Sequence, residues 1–254
     1  MRRVKITLAY DGTEYHGWQV QPGLPTIQGA LEQALAQIEG QPVPVAGSGR
    51  TDAGAHALEQ VAAFTLANRI PLANLKKAMN RLLPLSIRVT SASEAPADFH
   101  PRFQAVSKTY EYRIYRGEVC PPFERFYVHH YPYPLEAARM AELAPLFEGE
   151  HDFSAFAASD EKDELGGSKV RTVFSSKLLL EPDRLIYRVT GSGFLKHMVR
   201  NLTGTLLEAG KGNLGGDEIR EYLRPGCPRK AGPALPARGL FLVSVQCEPG
   251  SGTP

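Results

Sequence analysis

Cysteine is scarce in this 254-residue chain: Cys120, Cys227 and Cys247 are odd in number, far apart, and form no CxxC pair. That spacing supplies neither a disulfide framework nor a zinc site, and it suits a reducing cytoplasm. The seven histidines also lack metal-ligand spacing, so no metal is expected. Tryptophan occurs once, at Trp18. No apolar run approaches the roughly 18 residues that a membrane span needs; Leu178-Leu179-Leu180 is typical of the short stretches present. The basic start, Met1-Arg2-Arg3-Val4-Lys5, runs into the strand-like alternation of Val4, Ile6 and Leu8. It lacks the apolar core and cleavage site of a signal peptide. A soluble cytoplasmic protein is expected, without a membrane partner.

There is no strong excess of one charge either. The 29 basic and 27 acidic residues leave a net charge of +2, which by itself names no partner. Residues 1–104 hold 10 basic and 8 acidic side chains and the remainder 19 of each. Any nucleic-acid surface must therefore come from local clustering. Hydrophobic residues at 43% and charged residues at 22% are the balance of a globular protein with a real core.

The pattern along the chain gives the same order of elements twice. Residues 4–10 alternate as a strand. Thr26 can cap a helix with Ile27, Leu31, Ala34, Leu35 and Ile38 on its apolar face. Strands over Val43–Val45 and Val61–Leu66 follow. A helix carrying Leu72, Leu75, Met79, Leu82 and Leu83 lies between Pro71 and Pro84, and a strand near Ile87 and Val89 closes the set. The second half begins with a strand over 107–116, where Tyr110, Tyr112 and Ile114 share a face. A helix over Leu135–Phe147 comes next, then strands near 173–180 and 185–190 joined through Pro182-Asp183. A helix from Phe194 through Leu207, a short helix near Ile219–Leu223 and a strand over Leu240–Cys247 complete it. Each half reads as β-α-β-β-α-β. The expected division is 1–104 and 105–248, with a mobile segment over 158–169 and a disordered tail at 249–254.

The densest unusual stretch is Gly47-Ser48-Gly49-Arg50-Thr51-Asp52-Ala53-Gly54-Ala55-His56-Ala57. Its glycines and small residues cannot form core; they shape backbone for close approach. A triphosphate loop would need GKS or GKT, or a GxGxxG opening a helix, and none is present. The loop offers one carboxylate, Asp52, two residues from the guanidinium of Arg50, a pairing that suits a nucleophile rather than a general acid. The same two residues would also suit a surface turn closed by an ion pair worth about 0–1 kcal/mol. His56 has no paired serine or cysteine and is read as structural.

The segment from Gly49 to Ala57 resembles the catalytic motif of the tRNA pseudouridine synthase A family. Further matches are Tyr10-Asp11-Gly12-Thr13, Gly17-Trp18-Gln19 with Gln21-Pro22, and Thr26-Ile27-Gln28-Gly29 at the amino-terminal end. In the middle stand Phe99-His100-Pro101-Arg102-Phe103 and Lys108-Thr109-Tyr110-Glu111-Tyr112. Later come Gly149-Glu150-His151-Asp152-Phe153 and Gly193-Phe194-Leu195 with Met198-Val199-Arg200-Asn201. Together these ordered motifs cover roughly residues 4–247. Ala55 and Ile27 stand where the family usually has valine, and Pro101 where it more often has alanine. None of these departures touches Asp52, Arg50 or Tyr110.

The resemblance implies a cofactor-independent isomerase that converts uridine to pseudouridine at positions 38, 39 and 40 of the tRNA anticodon stem-loop. Asp52 would be the nucleophile, Tyr110 would contact the target base, and Arg50 would pair with Asp52 and help open the base from the stem. The implied fold is α+β: two ferredoxin-like halves forming one continuous, largely antiparallel sheet with helices on one side and an active-site cleft between the halves. A homodimer that binds tRNA is also implied. Candidate phosphate contacts are Arg2, Arg3, Lys5, Lys76, Lys77, Arg81, Lys196 and Arg200, with His197 beside Lys196 and Arg200 near the start of one helix. Trp18 is expected to pack beside the loop. Two rivals stand beside this reading: a pseudouridine synthase acting at another RNA site, and a non-catalytic tRNA-binding or tRNA-folding protein.

Overall fold

The computed structural model describes residues 1–159 and 167–248. The expected mobile segment and tail bear on residues 160–166 and 249–254, which lie outside that set. The chain divides into two compact units: Met1–Ser107 with the chain from Phe241 onward, and Lys108–Leu240. The fold is α+β, mostly antiparallel in its strand pairing, with helices covering one side of each unit's sheet. Among the described residues no helix is long and apolar enough to cross a membrane.

In the first unit, β1 (Arg2–Tyr10) buries Val4, Ile6, Leu8 and Tyr10, the alternate positions that a pleated strand turns to one face. The Thr26 hydroxyl then accepts from the Gly29 amide at 3.3 Å and starts α1 (Ile27–Glu39). Gly40, in the left-handed conformation, ends it. Ile27, Leu31, Ala34 and Leu35 form the buried stripe, and full burial of each larger side chain is worth about 1.5–3 kcal/mol. Strand pairing resumes in β2 (Ala46–Gly47), not at Val43–Val45 as the pattern suggested. The reason is a competing set of partners: the Val45 amide donates to Glu32 and its carbonyl accepts from Gln28, both on α1. β3 (His56–Leu66), α2 (Leu72–Leu82) and β4 (Ile87–Ala95) follow. β1 lies between β3 and β4, antiparallel to both, and β2 pairs with β3. That is the strand arrangement of a split β-α-β unit.

The second unit is built on β5 (Ala105–Tyr115), with the two-residue β6 (His129–His130) parallel to its end. The helix expected over 135–147 divides into α3 (Ala137–Leu143) and a 3₁₀ turn at Ala144–Phe147. Pro145, with no N–H and a restricting ring, sits where the α-helix stops. β7 (Gly149–Asp152), β8 (Val170–Leu180) and β9 (Arg184–Gly191) complete the order β5-β9-β8-β7, antiparallel throughout. α4 (Met198–Gly210) is buried on nearly all sides, and α5 (Gly216–Tyr222) follows. The α4 hydroxyls of Thr203 and Thr205 bond back to the carbonyls of Val199 and Asn201, each at 2.8 Å, which satisfies them without water. The last strand, β10 (Leu240–Cys247), was expected to close the second half. It lies instead in the first unit, parallel to β3 through Phe241↔His56 and Leu242↔Ala57.

Candidate active site

The loop between β2 and β3 carries Arg50 exposed, Thr51 buried and Asp52 half-buried. Its backbone is held from behind by side chains that the core has fully enclosed. Gln60, on β3 and 0% exposed, donates its amide to the Gly49 carbonyl at 3.0 Å and accepts from the Ser48 hydroxyl. The Tyr10 hydroxyl is 2.8 Å from that of Thr51 and also receives the Gln60 amide at 3.5 Å. Burial pushes the Tyr10 phenol up to about 12, with its bonds to Thr51 and Gln60 pulling the other way, so it serves as a neutral donor and acceptor.

The segment after β1 closes the other side. The Trp18 amide donates to the Thr51 carbonyl at 3.2 Å, the Gly54 amide to the Tyr15 carbonyl at 3.2 Å, and the Ala55 amide to the Asp52 carbonyl at 3.1 Å. Two glycines permit this approach. A Cβ on Gly12 would fall 1.9 Å from the Ala55 carbonyl oxygen, and one on Gly17 2.5 Å from that of Thr51. Gly17 also has φ +86°, which L side chains rarely adopt. Trp18 is buried and lies against Gly47, beside the loop as expected.

His56 is 2% exposed and stacks on Phe241 with ring centroids 4.7 Å apart. Its Nδ1 lies 3.2 Å from the Gly12 amide and 3.2 Å from an Asp11 carboxylate oxygen. The Gly12 amide donates to that nitrogen, and the Asp11 carboxylate stands beside it. These contacts make His56 part of the frame that carries the loop.

In the second unit, Tyr110 lies on β5 opposite Val189, 7% exposed, with the edge of one ring facing another in its contact with Phe194 at 5.1 Å. Tyr112 and Ile114 are fully buried, and the Tyr112 hydroxyl donates to the Pro236 carbonyl at 2.7 Å. Between Tyr110 and Tyr112, Glu111 is buried with its carboxylate bonded to Arg188 and Arg113. Burial alone would raise its pKa, but the two guanidiniums outweigh it and hold the carboxyl below the usual range.

The basic candidates fare unevenly. Lys77 and Arg81 are exposed on α2, one helical turn apart, while Lys76 is half-buried with its ammonium 3.4 Å from the Thr90 carbonyl. Arg2 bonds Glu94 and the Ile70 carbonyl, Arg3 donates to the Phe99 carbonyl, and Lys5 lies over the Phe99 ring, so all three have structural partners. The helix expected from Phe194 begins only at Met198. The Met198 amide bonds back to the Leu195 carbonyl at 3.1 Å, and His197 enters the helix in the left-handed region at φ 61°. The apolar spacing of Phe194, Leu195 and Met198 imitates a helix face across this turn. Lys196 therefore lies before the helix, exposed, with its ammonium 3.4 Å from the Ser159 carbonyl. His197 caps the helix only through its backbone, and Arg200, in the first turn, donates through Nε to the Leu235 carbonyl.

The roles of Tyr10, Ser48 and Gln60 are not legible in the sequence: Tyr10 and Ser48 stand there only as members of longer motifs and Gln60 in none, because hydrogen bonding across the core has no local sequence period. Among the described residues no group of three or more His, Cys, Asp or Glu side chains is placed to hold a metal ion.

The family model described as tRNA pseudouridine synthase matches residues 6–104 and 143–247. A protein of Solibacter usitatus named tRNA pseudouridine synthase A is 63% identical over 246 residues, covering 97% of this chain and 100% of that one. Proteins of the same name from Lacticaseibacillus casei and Caldicellulosiruptor saccharolyticus are 43% and 40% identical, each covering 96% of this chain and 99% of theirs.

Proposed function

The chain belongs to the tRNA pseudouridine synthase family and isomerises uridine to pseudouridine in tRNA; on that premise we propose that Asp52 is its nucleophile and uridines 38, 39 and 40 its targets. The reaction breaks the C1′–N1 bond, rotates the uracil within the site and joins C5 to C1′. N1 gains a proton and C5 loses one, so no redox change or external energy enters the balance. One carboxylate suffices to act covalently, at C1′ of the ribose or at C6 of the uracil.

The observation that carries this proposal is the frame around Asp52: its loop is bonded on one side to Gln60 and Tyr10 and on the other to Trp18 and Tyr15. A nucleophile gains from such fixed placement because the reacting atoms need not be reordered during attack. The target base must leave its stack at a cost of a few kcal/mol. Tyr110 then contributes by stacking and hydrogen bonding to the base, which returns roughly 1–3 kcal/mol. Arg50, exposed beside Asp52, contacts the opened nucleotide. Lys77, Arg81, Lys196, His197 and Arg200 supply phosphate contacts, and tRNA shape supplies selection. The enzyme works in the cytoplasm as a homodimer, and the exposed apolar side chains Val119 and Phe123 are surface that a partner subunit can cover.

An unmodified tRNA transcript bearing uridines at 38, 39 and 40 tests the proposal, with carbodiimide treatment and primer extension as readout. Stops at those positions with the wild type but not with Asp52→Asn are expected. Stops elsewhere would move the target to another site, and binding by both proteins without any stop would favour the non-catalytic alternative.

A further inference from the structure

Phe99 and Phe103 stand in one loop and meet opposite environments. Phe99 is 4% exposed; its carbonyl accepts from Arg3 at 3.0 Å, and the Lys5 ammonium lies 5.6 Å from its ring centroid. Phe103 is 79% exposed. An isolated exposed apolar side chain would need no explanation, but this one is presented by a rigid loop. The His100 amide donates to the Gln104 side chain at 3.0 Å, and the Gln104 amide returns to the His100 carbonyl at 3.1 Å. Pro101 is buried with φ restricted by its ring, and the Gln104 carbonyl accepts from Glu248 at 2.9 Å. The Arg102 amide donates to His100 Nδ1 at 3.2 Å. The imidazole thus held lies 4.4 Å from the Phe103 ring, tilted by 33°. One side of the phenyl is backed, and exposed Arg102 adjoins it in the chain.

We propose that Phe103, backed by His100 and accompanied by Arg102, is a stacking platform for an unpaired nucleobase of the tRNA substrate. A fixed aromatic ring with a neighbouring cation fits a base and its phosphate, and single-stranded RNA is bound through such pairs of contacts. The inference rests on tRNA being the substrate. It assigns to Phe103 a role in holding RNA, separate from the attack by Asp52.

The test compares wild type, Phe103→Ala and Phe103→Trp on the same transcript, following KM, kcat and tryptophan emission. The native Trp18 is 4% exposed, so its emission serves as the background to subtract. Phe103→Ala is expected to raise KM about tenfold, within a range of roughly 5- to 150-fold, with kcat unchanged. Phe103→Trp should keep the wild-type KM and lose emission on saturation with tRNA, as stacking on a base quenches indole. A wild-type KM in Phe103→Ala, or emission from Phe103→Trp that ignores tRNA, would overturn the platform. Loss of a dimer in Phe103→Ala with tRNA affinity unchanged would replace it with a subunit interface. Failure of the wild type to form pseudouridine would instead remove the substrate reading beneath it.

Discussion

The Tyr10 hydroxyl lies 2.8 Å from the Thr51 hydroxyl, across 41 positions of sequence, and so ties the end of β1 to the residue that precedes Asp52. Gln60 joins the same knot through the Gly49 carbonyl, which leaves both sides of Arg50 anchored while Arg50 itself stays exposed.

Removing the Tyr10 hydroxyl strips a buried partner from Thr51 and Gln60. Tyr10→Phe should lose about 1–3 kcal/mol in urea unfolding, the cost of buried groups left unsatisfied. Gln60→Leu should cost at least as much. The double variant should lose less than the sum, with a coupling of about 0.5–3 kcal/mol. Simple additivity would separate the two residues.

Gly17→Ala meets both a left-handed backbone and the Thr51 carbonyl 2.5 Å from the new Cβ. A destabilisation of about 1–3 kcal/mol is expected from the backbone alone. Because that carbonyl belongs to the residue before Asp52, turnover at saturating tRNA should fall as well. Thermal unfolding and single-turnover assays would measure the two losses.

Gly204→Ala sets helix propensity against packing. Propensity favours alanine by about 1 kcal/mol in a helix interior. The new methyl, however, would meet the Pro233 carbonyl oxygen at 1.9 Å. Backbone on both sides cannot yield cheaply, so the variant should be less stable than wild type. A raised melting temperature would contradict the packing.

Glu111 gives a pH-dependent prediction. Its carboxyl is held below the ordinary range in the folded chain, with burial opposing and Arg188 and Arg113 prevailing. A lowered folded-state pKa contributes stability above the unfolded value and loses it as pH falls through the folded one. Glu111→Gln should therefore be destabilised at neutral pH, and its deficit against wild type should shrink below the ordinary carboxylate range. Denaturant titrations at several pH values would reveal the convergence.

Lys77 and Arg81 share an exposed face of α2. If both meet phosphate, replacing each by alanine should weaken tRNA binding and reduce the salt slope by about 1 per contact. Binding measured across a salt series checks this, and an unchanged slope would assign both to solvent.

Much of this was legible in the residues themselves. The Thr26 cap, the stripe from Ile27 to Leu35 and the alternation of Val4, Ile6 and Leu8 are local, and their physics is complete within a few residues. The Asp52 loop declared itself through glycines that cannot form core. Longer-range relationships escaped. β10 lies beside β3 because a strand's hydrogen-bond partner is selected by the whole sheet, whereas a helix satisfies its own backbone. The turn ahead of Met198 imitates helical spacing, and only the left-handed backbone at His197 exposes it. The sequence alone singled out Asp52 as the candidate carboxylate; tertiary structure decided what holds its loop, because the pairing of β1 with β3 is what brings Tyr10 and Gln60 to it.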